Sequence, residues 1–586
     1  MFFQTDILTV TVLSYMLIKF IPAIGWLRNY PREHLSGDLN AGVTVGIMLI
    51  PQGLAYALIA GLPPIYGLYA ALVPVLIYAL FGTSGQLAVG PVAMVSLLVA
   101  TGVSDFAPSG SAEYIQMAIL LAFLVGLIQF LLGILRFGFI TNFLSHPVLS
   151  GFTSAAALVI GLNQLKHLVG LPIPRSGGVF EILKYVAVHV AQIQIPTLVI
   201  GLAGIAIILI LRRLTPRFPG ALIAVIVATL AVWTMELEGV GVAIVGSVPV
   251  GLPVPSISFF SVNAIRELLP IALAISLVGF MESIAVAKAF ASKNRTTINP
   301  SQELTALGLA NMAGSLFHSY PTTGGFSRSA VNDQAGAKTP LASLVSAGIV
   351  GLTLLFLTPL FHFLPKALLA SIVMVAVVGL VDVREIRFLW RSNRSDLALL
   401  ALTFVSTLVL GIEKGILIGV ASSVLTFIYQ ASRPHMARLG RIDGSDVYRN
   451  IERYSEAHID RGIAIFRIDA SLFFGNVEFV RDALSDFLDS NDTTKVLILD
   501  LYPVNRIDSS AQHAMFDLHR KLSDGNVHLL LSGVKGPVRD AFENSGLSTL
   551  LGEDAFFLRI DDANQRALAL AGSYLDDGPA EDNSAS

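Results

Sequence analysis

The sequence predicts a polytopic α-helical membrane protein followed by a small soluble α/β domain, and three observations predict this. Of the 586 residues, 54% are hydrophobic and 13% are charged, whereas soluble domains carry about 25% charged residues. From residue 40 to about residue 430 the chain is a succession of apolar runs, and a helix needs roughly 20 apolar residues to span a bilayer. After Arg433 charged residues become frequent, and strand and helix patterns of a soluble protein begin.

The apolar runs predict fourteen membrane segments in two sets of seven. The third segment, which opens at residues 88–91, and the tenth, which opens at Gly324-Gly325, are short or interrupted, and each is third in its set. The approximate bounds are 40–60, 64–81, 87–103, 114–135, 147–165, 196–213, 220–235, 267–290, 303–317, 325–337, 341–358, 364–381, 396–412 and 415–431.

A short internal repeat relates the two sets. Residues 52–57 read Gln-Gly-Leu-Ala-Tyr-Ala in the first segment, and residues 282–287 read Glu-Ser-Ile-Ala-Val-Ala in the eighth. Because seven is odd, the second set must insert with the opposite topology. This is the inverted-repeat plan of secondary transporters, in which the binding site lies at the membrane midplane between discontinuous helices.

Residues 321–330, Pro-Thr-Thr-Gly-Gly-Phe-Ser-Arg-Ser-Ala, point to the chemistry of this site. A charge is costly inside a bilayer, so Arg328 suggests a function. A helix that begins partway through the membrane also offers free N–H groups and the positive end of its dipole to an anion. We therefore predict that an anion binds between the third and tenth segments, at Gln52, Tyr56, Val89, Gly90, Pro91, Val92, Ala93, Phe326, Ser327, Arg328 and Ser329.

Several of these residues have a structural alternative. Arg328 could pair with a carboxylate and only hold two helices together. Gly90-Pro91 could simply end a loop, and Gln52 could bond to a neighbouring backbone group.

Glu282 is the candidate for ion coupling. An isolated carboxylate in an apolar helix is easily neutralised, so it can carry a proton while a negative substrate is bound. The alternatives are a permanent ion pair with Arg328 or Lys288, or coupling to sodium, since carboxylate and hydroxyl oxygens suit a hard cation.

Loop charges predict the orientation, because loops rich in Lys and Arg stay in the cytoplasm. One side carries most of them, including Arg212, Arg213 and Arg384, whereas the loop Ser104–Glu113 on the other side has none. The even number of segments then places both termini in the cytoplasm, and we expect the cytoplasmic (inner) membrane as the location.

The predicted domain boundaries follow the changes in composition. We expect an N-terminal cytoplasmic segment at 1–35, a transmembrane domain at 36–433, a linker at 434–460, an α/β domain at 461–570 and a disordered acidic tail at 571–586. Within the α/β domain, strands are predicted at 462–468, 495–500 and 527–532, and helices at 476–490 and 510–522.

Several function classes are disfavoured by the sequence. The chain has no cysteine, which excludes disulfides, thiol catalysis and cysteine metal sites. It also lacks the Gly-x-x-x-x-Gly-Lys-Ser/Thr loop of ATP-driven pumps. We expect no enzymatic activity, cofactor, metal or nucleic-acid partner.

Several motifs carry a resemblance to a known family; they lie at residues 51–57, 61–69, 81–84, 90–93, 151–156 and 327–329. On these residues the chain resembles the sulfate permease family of anion transporters, from about residue 35 to 565. Residues 500–511 resemble the marker of the STAS domain, which is named for sulfate transporters and anti-sigma factor antagonists. Because this domain is compact, the chain is similar to bacterial members.

The resemblance implies a core domain and a gate domain, elevator-type alternating access, a cytoplasmic STAS domain and a homodimer. It implies secondary transport of a small oxyanion, with sulfate and proton symport as the first expectation. Bicarbonate, C4-dicarboxylates, sodium coupling and an anion exchanger or channel stay open. Nucleobase permeases share the inverted repeat, but a cation at the site and a STAS domain argue against them.

Ser510 matches the serine that is phosphorylated in anti-sigma factor antagonists, so it is a possible regulatory residue and the STAS domain could bind a cytoplasmic protein. The alternative is that Asp508 and Ser509 are only a helix cap.

Overall fold

Each of the fourteen predicted segments contains a helix in the computed structural model, which describes residues 20–138, 145–173, 179–214, 220–257, 259–379 and 381–576. The chain divides into two units, Met1–Ser423 and Val424–Ser586. The helices up to residue 432 are α1 Pro22–Arg28, α2 Leu35–Ile59, α3 Ile65–Ala70, α4 Val73–Phe81, α5 Ala93–Ser104, α6 Ala112–Ile134, α7 His146–Val169, α8 Val179–Val188, α9 Ile195–Leu214, α10 Gly220–Thr234, α11 Val262–Asn294, α12 Pro300–Leu316, α13 Phe326–Gln334, α14 Leu341–Leu352, α15 Lys366–Val378, α16 Val383–Ser392, α17 Arg394–Leu410 and α18 Ile412–Ser432.

Helix length separates ordinary spans from special ones. Within the described ranges, seven helical stretches are long and apolar enough to cross a membrane by themselves, and four shorter apolar ones accompany them. The third and tenth segments are helices of only 12 and 9 residues, α5 and α13. Each follows a two-residue strand, β1 Val89–Gly90 or β2 Thr323–Gly324, so both segments are discontinuous as predicted.

The packing of the helices has the symmetry of the predicted repeat. The contact of α6 with α12 is matched by that of α14 with α4, and the contact of α2 with α14 is matched by that of α11 with α6. In the same way, the contact of α9 with α15 is matched by that of α17 with α7. Exchanging the first seven segments with the second seven converts one member of each pair into the other.

The same contacts sort the helices into two groups. One group contains α2, α4, α5, α6, α11, α12, α13 and α14, with the two discontinuous segments α5 and α13 among them. The other contains α7, α9, α10, α15 and α17. These groups correspond to the expected core and gate domains.

Glycines bring the central helices of the core group into backbone contact. A Cβ at Gly126 of α6 would lie 2.7 Å from Gly308 O, and a Cβ at Gly308 of α12 would lie 2.7 Å from Gly126 O. Small residues at helix crossings are the usual means of close packing in membranes. Because of this close packing, the core group offers a firm support for the segments between its helices.

The second unit has the predicted alternation of strands and helices. Its strands are β3 Met436–Ile442, β4 Tyr448–Asn450, β5 Ala457–His458, β6 Ile463–Ile468, β7 Val496–Asp500, β8 His528–Ser532 and β9 Phe556–Phe557, and its helices are α19 Val477–Asp489, α20 Ser509–Asp524, α21 Gly536–Ser545, α22 Leu547–Leu551 and α23 Ile560–Asp576. The sheet order is β4-β3-β6-β7-β8-β9, with β5 beside β3, and β6 to β9 run parallel. Leu497 and Leu499 of β7 face the cluster of α19, α20 and α21, whereas Val496 and Ile498 face α23.

Two predicted boundaries of this unit need correction. Residues 434–460, expected as a linker, contain three strands, and β3 pairs with β6 from Met436↔Ile468 to Leu439↔Ile465. Two arginines lie within β3, so the amino-acid composition of this strand resembles that of a charged linker. The acidic tail expected at 571–586 begins inside α23, and residues 577–586 lie outside the described residues, as do residues 1–19 of the N-terminal segment.

Candidate anion-binding site

The site is built where the two discontinuous segments meet. β1 and β2 pair antiparallel, with Val89 opposite Gly324 and Gly90 opposite Thr323. The chain then enters α5 through the extended N-cap residue Val92 and α13 through the extended N-cap residue Gly325. Valine and glycine have no side-chain acceptor to cap a helix, so the first-turn N–H groups of both helices are left for another acceptor. Two positive helix ends therefore start from one small ribbon.

The guanidinium of Arg328 lies beside this ribbon. Arg328 is only 2% exposed, and its Nη1 donates to Pro91 O at 2.5 Å. Gly90 has a φ of +148°, which favours glycine. A Cβ at Gly90 or Gly325 would lie 3.4 or 3.2 Å from Arg328 Nη2, so both glycines leave room for the cation.

Arg328 is incompletely paired by the described part of the chain. Its Nε and Nη2 are buried and have no hydrogen-bond partner there, and no carboxylate lies within salt-bridge distance. Glu282, Tyr56 and Tyr320 are near enough to interact with its charge electrostatically. A buried cation in this state is unfavourable unless a negative group joins it.

Gln52 and Tyr56 lie on one face of α2, four residues apart, and are 4% and 6% exposed. Gln52 Oε1 is buried without a partner among the described groups. The NH₂ group of the same amide can donate to an oxyanion.

Glu282 is held near the site through its neighbour on α11. Ser283 Oγ lies 2.6 Å from Thr323 Oγ1 and accepts from Gly324 N at 2.8 Å, which fastens α11 to β2. Glu282 Oε2 is buried without a partner, and the described ion pairs include none between Glu282 and Arg328 or Lys288. The alternative of a permanent ion pair is therefore not formed in this conformation.

The three predicted residues around Arg328 have different surroundings. Ser327 and Phe326 are exposed, and the Phe326 ring lies 6.2 Å from that of Phe290. Ser329 Oγ donates to Gly325 O at 2.8 Å and accepts from Ala88 N at 2.9 Å. The hydroxyl of Ser329 thus ties the start of β1 to the start of α13, while its predicted contact with a ligand stays a prediction.

The sequence profile of the sulfate permease family matches residues 35–403, more than half of the chain. The chain belongs to the sulfate permease family. A STAS domain profile matches residues 454–563, within the second unit. The resemblance inferred from the motifs is confirmed.

Relatives of this permease include sulfate transporters from distant organisms. The chain is 41% identical to the chloroplastic sulfate transporter 4.1 of Arabidopsis thaliana over 93% of its own length and 82% of the relative's. It is 35% identical to a probable sulfate transporter of Mycobacterium tuberculosis, covering 93% and 97% of the two chains. The structure of the murine Solute Carrier 26 family member A9 anion transporter in the inward-facing state superposes with a TM-score of 0.88 at 27% identity, covering 95% of each chain.

The permease site also contains polar residues whose types and positions in the sequence do not single them out. Tyr320 is completely buried and its hydroxyl lies 3.1 Å from Ser96 Oγ of α5. Asn311 Oδ1 accepts from Thr322 N at 2.8 Å and Asn311 Nδ2 donates to Thr322 O at 3.0 Å, which fixes the strand before the site. The only signal for Tyr320 and Thr322 in the sequence was that they lie next to the Gly-Gly break.

Two further buried carboxylates of the permease domain are structural. Glu303 accepts hydrogen bonds from Tyr78 Oη at 2.7 Å, from Thr83 N at 2.7 Å and from Thr83 Oγ1 at 2.5 Å. Asp38 accepts from Lys338 N at 2.7 Å, Thr339 N at 3.1 Å and Thr339 Oγ1 at 2.6 Å. Their oxygens are used to join distant segments.

In the STAS domain of the permease, Asp508 is the N-cap of α20 and accepts from Ala511 N at 2.9 Å. Its other oxygen accepts from Phe474 N at 2.8 Å. Asp508 is therefore a helix cap, whereas Ser509 is the first helical residue and its part in the cap stays a prediction. Ser510 is exposed in the first turn, and its regulatory role stays a prediction.

Proposed function

We propose that this protein is a secondary active transporter of small oxyanions, with sulfate as its substrate and a proton as its coupling ion. The anion binds between the N-termini of α5 and α13. Arg328 provides the attracting charge, and Glu282 carries the proton.

Arg328 is the single observation that carries the proposal. A cation that is 2% exposed has two unpaired nitrogens, and it lies beside two helix N-termini. All of these groups are donors or positive, so the ligand must be an acceptor with negative charge. This charge pattern favours an anion over the neutral nucleobase that other inverted-repeat permeases carry.

The preference for sulfate is supported by the relatives and by the number of hydrogen-bond donors at the site. The relatives named above are called sulfate transporters in a plant and in a bacterium. Tetrahedral oxyanions offer several acceptor oxygens, which suits donors from α5, α13, Arg328 and Gln52 around one centre.

Proton coupling is supported by the state of Glu282 and by the charge balance. A divalent anion entering against a negative-inside potential costs about 2.3 kcal/mol per charge per 100 mV. Cotransported protons cancel this cost. Glu282 has an unpaired buried oxygen and lies near Arg328, so it can accept a proton when the anion's charge arrives.

The two packed helix groups support an elevator-type movement. The ribbon of β1 and β2 and both short helices belong to the core group, whose helices are fastened to each other by backbone contacts. A rigid core that carries the anion past the gate group would expose the site alternately on each side. We include in the proposal a homodimer in the cytoplasmic membrane with both termini in the cytoplasm.

The test is uptake of radiolabelled sulfate by the purified protein in liposomes, with and without an inward proton gradient. Bicarbonate, C4-dicarboxylates and chloride serve as unlabelled competitors. Saturable uptake that a proton gradient accelerates supports the proposal. Uptake that responds only to sodium, or that sulfate does not compete for, contradicts it.

A further inference from the structure

The C-terminal half of α11 has one exposed face that starts at the site. Ala285, Lys288, Ala289 and Ser292 are exposed, and Glu282 is half-buried. These positions follow the spacing of three and four residues that places side chains on one face of a helix. On the remaining faces, residues 283–284, 286–287 and 290–291 are buried.

The residue types on this face are not those of a lipid-contacting surface. At the other end of α11, Leu269 and Leu273 are 44% and 47% exposed, which is typical of contact with lipid tails. The face from Glu282 to Ser292 instead has small side chains and a lysine. Ionisable residues within membrane helices face the bundle interior or a water-filled cavity. The face therefore borders water.

The first turn of α13 lies beside this face. Phe326 and Ser327 are exposed, and the ring of Phe326 lies 6.2 Å from that of Phe290 on α11. The exposed face thus leads away from the anion site towards the C-terminal end of α11, which the proposed orientation makes cytoplasmic.

The two lysines of this half-helix are in different states. Lys293 Nζ lies 2.6 Å from Asp333 Oδ2, so its charge is neutralised at the end of the helix. For Lys288, no ion pair is found among the described residues. With a rise of about 1.5 Å per residue, Lys288 lies roughly 9 Å along the helix from Glu282.

We propose that the α11 face from Glu282 to Ser292 lines the cytoplasmic access path of the anion, and that Lys288 is a second, transient anion contact on this path. The proposal rests on the proposed function, in that the cargo is an anion. A single exposed ammonium raises the local concentration of anions without holding them tightly, which suits a residue on a path of entry and release.

The test uses the absence of cysteine in the natural chain. Single variants Ala285→Cys and Ala289→Cys are reconstituted in vesicles and treated from the cytoplasmic side with an anionic or a cationic methanethiosulfonate reagent. We expect both cysteines to react, and the anionic reagent to be favoured. Adding Lys288→Gln should lower the ratio of anionic to cationic reaction rates about fivefold or more, because one nearby charge in water speeds the anionic reagent and slows the cationic one by about two- to fivefold each.

Ala287→Cys is the matched control, because residue 287 is completely buried on the same helix. If Ala285→Cys and Ala289→Cys react no faster than this control, the face does not border water and the path is wrong. If both cysteines react but Lys288→Gln does not change the ratio of anionic to cationic reaction rates, the proposed anion contact at Lys288 is wrong.

These reagents report the local potential whatever the cargo is, so the result is separate from the identification of sulfate. In transport assays, Lys288→Gln should raise the KM for the anion on the cytoplasmic side and leave the maximal rate unchanged. A lower maximal rate with an unchanged KM would assign Lys288 a structural role instead.

Discussion

The buried charges of the membrane unit fall into two kinds, and the difference between them separates framework from site. Asp38 and Glu303 are both completely buried, and each accepts three or more hydrogen bonds from residues far away in the chain. Arg328 is as deeply buried, yet it keeps two unpaired nitrogens, and Glu282 keeps an unpaired oxygen. A buried charged side chain whose polar atoms are all hydrogen-bonded stabilises the fold. A buried charged side chain with unpaired polar atoms is available to bind a ligand or a proton.

Arg328→Ala offers the strongest way to break this comparison. Removing an unsatisfied cation should leave the fold intact and abolish uptake, a loss of at least about 100-fold. Arg328→Lys should be partly active, because it keeps the charge without the planar fork. Radiolabelled anion uptake and thermal melting are measured side by side. A folded Arg328→Ala protein with ordinary substrate affinity would show that the cation does not hold the anion.

Glu303→Ala tests the opposite kind of charge. The hydroxyl of Tyr78 and the N–H and hydroxyl of Thr83 would lose their acceptor, so we expect destabilisation by about 3 kcal/mol or more. Thermal melting of the detergent-solubilised protein measures this loss. The control is Glu282→Gln, which should melt like the natural protein. If the two variants have the same melting temperature, Glu303 and Glu282 do not differ in their contribution to stability and the comparison fails.

Backbone N–H and C=O groups in the second unit can likewise be divided into paired groups that stabilise the fold and groups that are left unpaired when a strand is cut. β3 lies between β4 and β6 in the sheet, so cutting it leaves strand N–H and C=O groups unpaired. A fragment of residues 434–576 should fold alone, whereas residues 440–575, which lack the first half of β3, should be much less stable. Urea unfolding followed by circular dichroism compares the two. If the shorter fragment is as stable, residues 436–439 are no part of the framework.

Glu282→Gln sharpens the comparison at the site itself. Gln52 occupies the corresponding place in the first repeat, so an amide should fit at residue 282 and folding and anion binding should persist. Acceleration of uptake by acidic external pH should be lost, while exchange of one anion for another continues. The assay is liposome uptake with and without an inward proton gradient. If a proton gradient still accelerates uptake by the variant as it does in the parent, Glu282 is not the proton carrier.

Asp469 in the STAS domain gives the smallest expected effect. Burial on its own raises the pKa of Asp469, but hydrogen bonds from Arg467 at 2.6 Å and His435 at 2.8 Å outweigh it and hold the pKa below its usual value. A lowered pKa stabilises the fold above the unfolded value of about 3.9 and loses this effect as the pH falls below it. Because Asp469 is partly exposed, we expect no more than about 1 kcal/mol at pH 7.

Melting of the 434–576 fragment and its Asp469→Asn variant from pH 7 to pH 3 measures this effect. The two melting curves should approach each other as the pH falls. If the difference in melting temperature between the two proteins instead grows as the pH falls, the hydrogen bonds of Asp469 do not lower its pKa.

Local sequence was enough for the elements whose signal lies within the element. The Gly-Pro break at residues 90–91 and the Gly-Gly break at 324–325 gave the discontinuous segments, and the strand at 496–500 is a plain apolar run. β3 was missed because Arg438 and Arg441 interrupt its apolar residues and resemble a charged linker.

The site was predicted in part for the same reason. Arg328 and Gln52 are polar residues in apolar runs and can be recognised without a structure. Tyr320 and Asn311 could not be chosen, since a tyrosine in a connecting segment or an asparagine within a helix is common. Only their hydrogen bonds, to Ser96 and to Thr322, place them at the site. The role of Ser329 as a tie to Ala88 likewise depends on a residue 241 positions away.

The sequence by itself determined where the chain crosses the membrane, where two crossings break, and that a permanent cation lies at one of these breaks. Hydrophobic length, glycine, proline and charge act locally, so they can be read along the chain. Only the tertiary structure decided which buried charges are satisfied. Tyr78 reaches Glu303 across 225 residues and Thr339 reaches Asp38 across 301, while no such partner reaches the free nitrogens of Arg328 within the described chain. Hydrogen bonding depends on distances of a few ångströms between segments, and folding alone sets those distances.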